Sequence, residues 1–226
     1  MLVKLCLIIF IAGIVLFGAW TIYQRVRIFG NKQLAAVAEF EWSRGKIKNE
    51  AKLHWQKAQD LAKEREGLED GSKELSKLND RIIIELKKAT ELDPQNPRLW
   101  YDLGGAFTFY NSTGAPENGL PAQRKAEELA PDNIIYVNGV GDLLLRAGKY
   151  DEAIVQLQKS LRLDEQSGFA HLGLGIGYRK LAIFDEAREH LEKALMIFDQ
   201  KNINGKYDGE IVLVQKELAA LPTKPF

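Results

Sequence analysis

The hydrophobic pattern changes character along the chain. From Leu5 to Ile22 it is continuous: LCLIIFIAGIVLFGAWTI is eighteen residues without a charge. As a helix this run reaches about 27 Å, close to the ~30 Å hydrocarbon core of a bilayer. Beyond it the apolar positions thin to a stripe. Ile47, Ala51, His54, Ala58, Leu61, Arg65 and Leu68 alternate spacings of four and three within a helix-forming segment, Asn31 to Gly67. Only Ile47, Leu61 and Leu68 are strongly apolar there, so a dimeric coiled coil is weakly encoded. A stripe of Trp55, Ala58 and Ala62 packing on the chain that follows accounts for the segment better. Glu69 to Lys73 reads as a loop. Asn79 to Leu92 reads as a helix with Ile82, Leu86, Ala89 and Thr90 on one face. It is stopped at Asp93-Pro94-Gln95-Asn96-Pro97, because proline cannot continue a helix and restricts the residue before it.

From Ile134 to Lys201 one pattern is written twice. Ala153 in GKYDEA and Ala187 in AIFDEA lie 34 residues apart, and the same offset links Val140-Gly141 to Leu174-Gly175, Leu144 to Tyr178 and Leu157 to Leu191. Upstream, Trp100-Tyr101-Asp102-Leu103-Gly104-Gly105-Ala106-Phe107 fits W-x2-L-G-x2-[YF] at every marked position. In period and signature the chain resembles the tetratricopeptide repeat (TPR) family. That resemblance implies an all-α solenoid of helix–turn–helix units: three repeats over 97–201, a degenerate leading repeat within 28–96, and a capping segment in 202–226. The first of the three carries about three extra residues in its internal loop, 111–119. Tyr207 to Leu221 reads as the cap helix, with Ile211, Val214 and Leu218 inward and Glu210, Lys216 and Glu217 outward. A terminal unit needs such a cover for its unpaired face.

Residues 1–27 read as a single-pass transmembrane anchor. A cleaved signal peptide wants a shorter apolar core and a small-x-small site, whereas Phe17 stands two residues before Ala19. Trp20 and Tyr23 mark one interface, followed by Arg25 and Arg27. Lys4 and the α-amine face Arg25, Arg27 and Lys32 across the span. The charge bias leans by one towards a cytoplasmic repeat domain, while bacterial proteins of similar layout hold such repeats outside the cytoplasm; both placements stay open.

Composition narrows the chemistry. Thirty-one Lys+Arg offset thirty-one Asp+Glu, so no global field recruits nucleic acid. Cys6 is the one cysteine, leaving no disulfide framework, zinc spacing or redox pair. Gly173-Leu174-Gly175-Ile176-Gly177-Tyr178 falls inside a first helix, where glycines serve close packing; a dinucleotide fingerprint needs a preceding strand and a third glycine where Tyr178 stands. His54, His171 and His190 lack metal-ligand spacing, and His171 fills the slot of Trp100 in helix packing. No nucleophile–base pair emerges, so no enzyme and no cofactor is expected.

The resemblance also names a site. In the family the concave wall is built from first helices, at five positions of each repeat. Here these are Arg98, Tyr101, Gly105, Thr108 and Phe109, then Ile135, Asn138, Asp142, Leu145 and Arg146, then Phe169, Leu172, Ile176, Arg179 and Lys180. Arg98, Tyr101, Asn138, Asp142, Arg146, Phe169, Leu172, Arg179 and Lys180 are the candidate partner-binding residues. Cations outnumber Asp142 among them, which fits a protein segment with apolar side chains and some negative charge. Tyr101 and Gly105 occupy the slots of the Lys and Asn with which chaperone-binding members grip a terminal carboxylate, so that clamp is not expected. The expected role is a membrane-anchored adaptor for a protein or peptide partner, with a self-associating scaffold as the alternative. Alkaline carbonate should leave the protein in the membrane pellet, and deletion of the residues before Arg27 should release a soluble, folded helical domain. Extraction of the intact protein by carbonate would refute the anchor.

Overall fold

The computed structural model describes residues 47–65, 68, 72–109 and 116–222. The predicted span Leu5–Ile22 and most of the insertion loop lie outside these residues. Among the described residues no helix is long and apolar enough to cross a membrane. The elements are α1 (Asn49–Glu64), α2 (Lys73–Leu92), α3 (Pro97–Phe109), α4 (Leu120–Leu129), α5 (Ile134–Arg146), α6 (Tyr150–Leu163), α7 (Gly168–Lys180), α8 (Phe184–Lys201) and α9 (Asp208–Ala219), with short 3-10 turns at Pro116–Asn118 and Ile203–Gly205. Among the described residues there is no strand.

Helices pair in order: α1 with α2, α3 with α4, α5 with α6, α7 with α8, and α9 closes on α8. The expected stripe on α1 finds its partner inside the same chain. Ile47, Ala51, Trp55, Ala58 and Leu61 share one core with Leu78, Ile82, Ile83, Leu86 and Ala89 of α2 and with Leu99, Leu103 and Ala106 of α3. The second helix of this leading unit starts at Lys73, six residues before the expected Asn79. Ser72, expected inside a loop, is its N-cap and accepts the Leu75 N–H at 3.1 Å, satisfying a donor that the first turn leaves open. Leu75 and Leu78 extend the buried face backwards.

The 34-residue period is a period of contacts. A Cβ on Gly141 would lie 2.6 Å from Leu157 Cδ2, and one on Gly175 would lie 2.5 Å from Leu191 Cγ. Each first helix is therefore pressed onto its own second helix at one glycine. The turns repeat as well. Gly148 joins α5 to α6 at φ 72°, and Ala182, 34 residues on, joins α7 to α8 at φ 60°. A side chain at positive φ costs roughly 1–2 kcal/mol, which glycine avoids.

The cap departs from expectation in its polarity. Val214 is fully buried and Ile211 and Leu218 pack beside it, but Glu217 and Glu210 do not face outward. Glu217 takes Arg179 Nε at 2.6 Å, and Glu210 turns towards the concave side. The reason is positional: α9 stands where a further first helix would stand, so part of its polar face looks into the superhelix. Two apolar side chains of the same helix stay open to solvent, Val212 at 64% and Leu213 at 39% exposed.

Two buried titratable clusters sit in the walls. Glu85 of α2 meets His54 Nδ1 at 2.6 Å, Lys57 at 2.9 Å and Lys88 at 3.7 Å. Burial alone would raise its carboxyl, but these partners, His54 and Lys57 foremost, hold it at about 2 against an ordinary 4.5. Between α7 and α8 the Nδ1 atoms of His171 and His190 are 2.8 Å apart, and Tyr178 stacks on His190. Burial, then the charge of His171, pushes His190 down from 6.5 to about 4. Burial is also the main cause of the lowered value at His171.

Three outcomes follow. Gly141→Leu should lower the melting temperature well beyond the exposed control Lys149→Leu, since overpacking costs ~1–3 kcal/mol; equal effects would contradict the contact register. Ala182→Gly should raise it modestly, by up to ~1 kcal/mol, because relief of the left-handed strain is partly offset by a freer unfolded chain. Calorimetry across pH should find two stages of acid loss. The unfolded chain takes protons that folded His171 and His190 refuse, so stability falls as pH drops from 6.5 towards 4. The Glu85 contribution is intact above 4.5 and disappears as pH falls towards 2. His190→Gln should flatten the upper stage and leave the lower one unchanged.

Candidate binding groove

The first helices α1, α3, α5 and α7, with α9 at the end, supply most of the lining of one concave groove of about 660 Å³, and Ile82 and Leu86 of α2, Gln123 of α4 and Leu157 of α6 reach it from behind. Successive units stack with a small rotation, which puts first helices on the inner wall and second helices outside. Ala58 and Ala62 border the groove at one end and Leu213 at the other. Between them its apolar floor includes Ala106, Leu145, Leu172 and Ile176.

Of the nine residues singled out in the sequence, Arg98, Tyr101, Asn138, Asp142, Phe169 and Leu172 line this groove, while Arg146, Arg179 and Lys180 fall outside its lining. The last three come from the C-terminal ends of α5 and α7, where the helix has carried its side chains past the concave face. The arginines are also engaged. Arg98 Nε reaches both oxygens of Asp102 at 2.9 Å. Arg146 meets Asp142 one turn earlier at 2.8 Å, both half exposed, a geometry worth ~0.3–0.5 kcal/mol. Arg179 is held by Glu217, at 22% and 14% side-chain exposure. The three arginines counted along the first helices are thus met by carboxylates, of which Asp142 is itself a repeat position while Asp102 and Glu217 are not.

Asp102 is the residue that sequence reasoning passed over. It takes the Trp55 indole N–H at 2.7 Å as well as Arg98, and the guanidinium lies 6.0 Å from the Trp55 ring centroid. One carboxylate therefore ties α1 to α3 at the groove's N-terminal end. Tyr101, packed 5.5 Å from Tyr136, has its hydroxyl pKa raised by burial first, then by Asp102 and Asp142.

Gln123 is a second surprise. It occupies in α4 the slot that Leu157 and Leu191 hold in α6 and α8, and a Cβ on Gly104 would lie 2.6 Å from its Cγ. Its Nε2 donates to the Tyr101 carbonyl at 3.1 Å, while Oε1 is buried without a donor. Asn138 Nδ2 donates to Ser167 Oγ at 3.3 Å, and its Oδ1 is likewise buried and unmatched. Gly105 is the opposite case: a Cβ there would have nothing within 4 Å, so the wall is open at that point. Among the described residues no three His, Cys, Asp or Glu side chains group as a metal site.

Comparison with known proteins agrees with this architecture. A tetratricopeptide repeat family model matches residues 137–167. Human Superkiller complex protein 3 is 33% identical over 125 residues, covering 52% of this chain and 8% of that protein. The Arabidopsis thaliana protein CTR9 homolog is 26% identical over 117 residues, 51% of this chain and 10% of its own length. The chain therefore spans about a tenth or less of these curated relatives. Among solved structures, YrrB, described as a TPR protein with an unusual peptide-binding site, superposes with a TM-score of 0.54 at 18% identity, covering 88% of this chain and 91% of that one. MamA from Desulfovibrio magneticus RS-1 gives 0.53 at 18% identity, covering 76% and 97%. The described chain is a tetratricopeptide-like helical solenoid, with a tetratricopeptide repeat at residues 137–167 and the same helix-pair unit before and after it.

Proposed function

We propose that this protein is a membrane-anchored adaptor that holds a segment of another protein in its concave groove and carries out no reaction itself. The observation that carries the reading is the groove: one concavity of about 660 Å³, lined mainly by first helices and the cap helix and floored by apolar side chains. A helix-pair stack presents such a surface as a rigid wall, which lowers the ordering cost of binding an extended segment. Recognition of a segment is the activity that such a wall supports. A peptide-binding site is named for YrrB, which shares the fold. The apolar run Leu5–Ile22 supports attachment to a bilayer, and an anchored groove of this kind suits the assembly of a membrane or envelope complex.

The open point at Gly105 gives the test. Gly105→Trp fills the groove from its wall, and because no atom lies within 4 Å of a Cβ there, the helix pair should keep its packing. Co-purification from detergent-solubilised membranes, with partners identified by mass, should lose the partner in Gly105→Trp. The convex-face control Val155→Lys, at a side chain 65% exposed, should retain it. The reverse result would place binding on the outer helices.

A further inference from the structure

Hydrogen-bond capacity in the groove is unbalanced. Its charged lining residues are Asp102, Asp142 and Glu210 against Arg98 alone, and the Arg98 Nε is spent on Asp102. The Trp55 indole N–H is spent on the same carboxylate. Asp142 is bridged from outside by Arg146, but both are half exposed, and such a pair yields readily to a better-placed cation. Glu210 has no hydrogen bond or ion pair with any described residue. The lining side chains Gln123 and Asn138 add two buried amide oxygens that receive no hydrogen bond. The orientation of Gln123 is fixed, because its nitrogen must face the Tyr101 carbonyl. The wall is rich in acceptors and short of donors.

We infer that the segment this groove takes is apolar and basic: a peptide whose lysine or arginine meets Glu210 and Asp142, and whose apolar side chains lie on the strip of Phe169, Leu172 and Ile176 between them. The inference rests on the groove reading above and adds its chemistry. Charge complementarity decides it. An acidic segment would set its carboxylates against three acids, with Arg98 already engaged. A neutral apolar one would leave Glu210 to lose water without a partner, which is unfavourable for a carboxylate. A cationic side chain offers Glu210 a charge-assisted bond and keeps its aliphatic stem on the apolar floor. Asp142 and Asn138 are one helical turn apart on α5, so the same segment can place a backbone N–H near the Asn138 amide.

The test pans a phage library of random twelve-residue peptides against the full chain purified in a mild detergent. A selected peptide is then synthesised and its affinity for the wild type, Glu210→Gln, Glu210→Lys and Gly105→Trp is measured by fluorescence anisotropy. Circular dichroism verifies that each variant is folded, and Gly105→Leu serves as a milder plug should the tryptophan variant fail. The expected result is enrichment of Lys or Arg among apolar residues. Binding should weaken several-fold in Glu210→Gln and at least tenfold in Glu210→Lys, should be lost on plugging, and should weaken with added salt. Enrichment of acidic peptides, or affinity indifferent to both Glu210 variants, overturns the basic segment while loss on plugging leaves the groove reading standing. Peptides that bind the plugged variants as well as the wild type, or no enrichment at all, overturn the groove reading with it.

Discussion

The groove depends on how closely each first helix can lie on its second. At Gly141 and Gly175 the approach is so tight that a single Cβ would meet the Leu157 or Leu191 side chain. One face of the first helix is used up in that contact. Its opposite face, left without a partner, becomes the concave wall, and stacking unit on unit makes the wall continuous. In the earlier unit Gly104 presses on Gln123 instead. A polar side chain in a slot made for leucine has to bond, and it does so with the Tyr101 carbonyl. The packing of that unit is thereby coupled to a groove residue through a hydrogen bond.

Electrostatics then decides what the wall can offer. Lone arginines along first helices resemble a cationic track, yet Arg98 and Arg146 each meet a carboxylate one turn away and Arg179 meets one on the cap helix. What remains for a ligand is a set of acceptors over an apolar floor. The cap helix contributes to both halves of that outcome, withdrawing Arg179 through Glu217 and supplying Glu210. It acts as an end wall of the site as well as a cover for the last repeat.

The repeat units were legible in the sequence because their contacts recur at a fixed offset. Gly141 with Leu157 and Gly175 with Leu191 are the same sentence in chemistry and in letters. The leading helix pair was legible as helix but not in extent: Ser72 reads as a loop residue until its hydroxyl is seen to accept the Leu75 N–H. Family positions located the inner faces of α3, α5 and α7, and Tyr101, Asn138 and Leu172 do line the groove. They could not reveal Asp102, Gln123 or Glu210. Asp102 works through a tryptophan 47 residues away, and Glu210 belongs to a helix whose pattern reads as a polar-faced cap. Contacts between distant segments leave no periodicity to read.

The central claim is that a partner sits against the inner wall, and site-selective protection tests it most directly. In a Cys6→Ser background, single cysteines replace Gly105 on the concave side and Val155 on the convex side, and maleimide labelling is timed in the purified protein with and without its co-purifying partner. The account predicts that the partner slows labelling at position 105 and leaves position 155 unchanged. Protection at 155 with free labelling at 105 would contradict it.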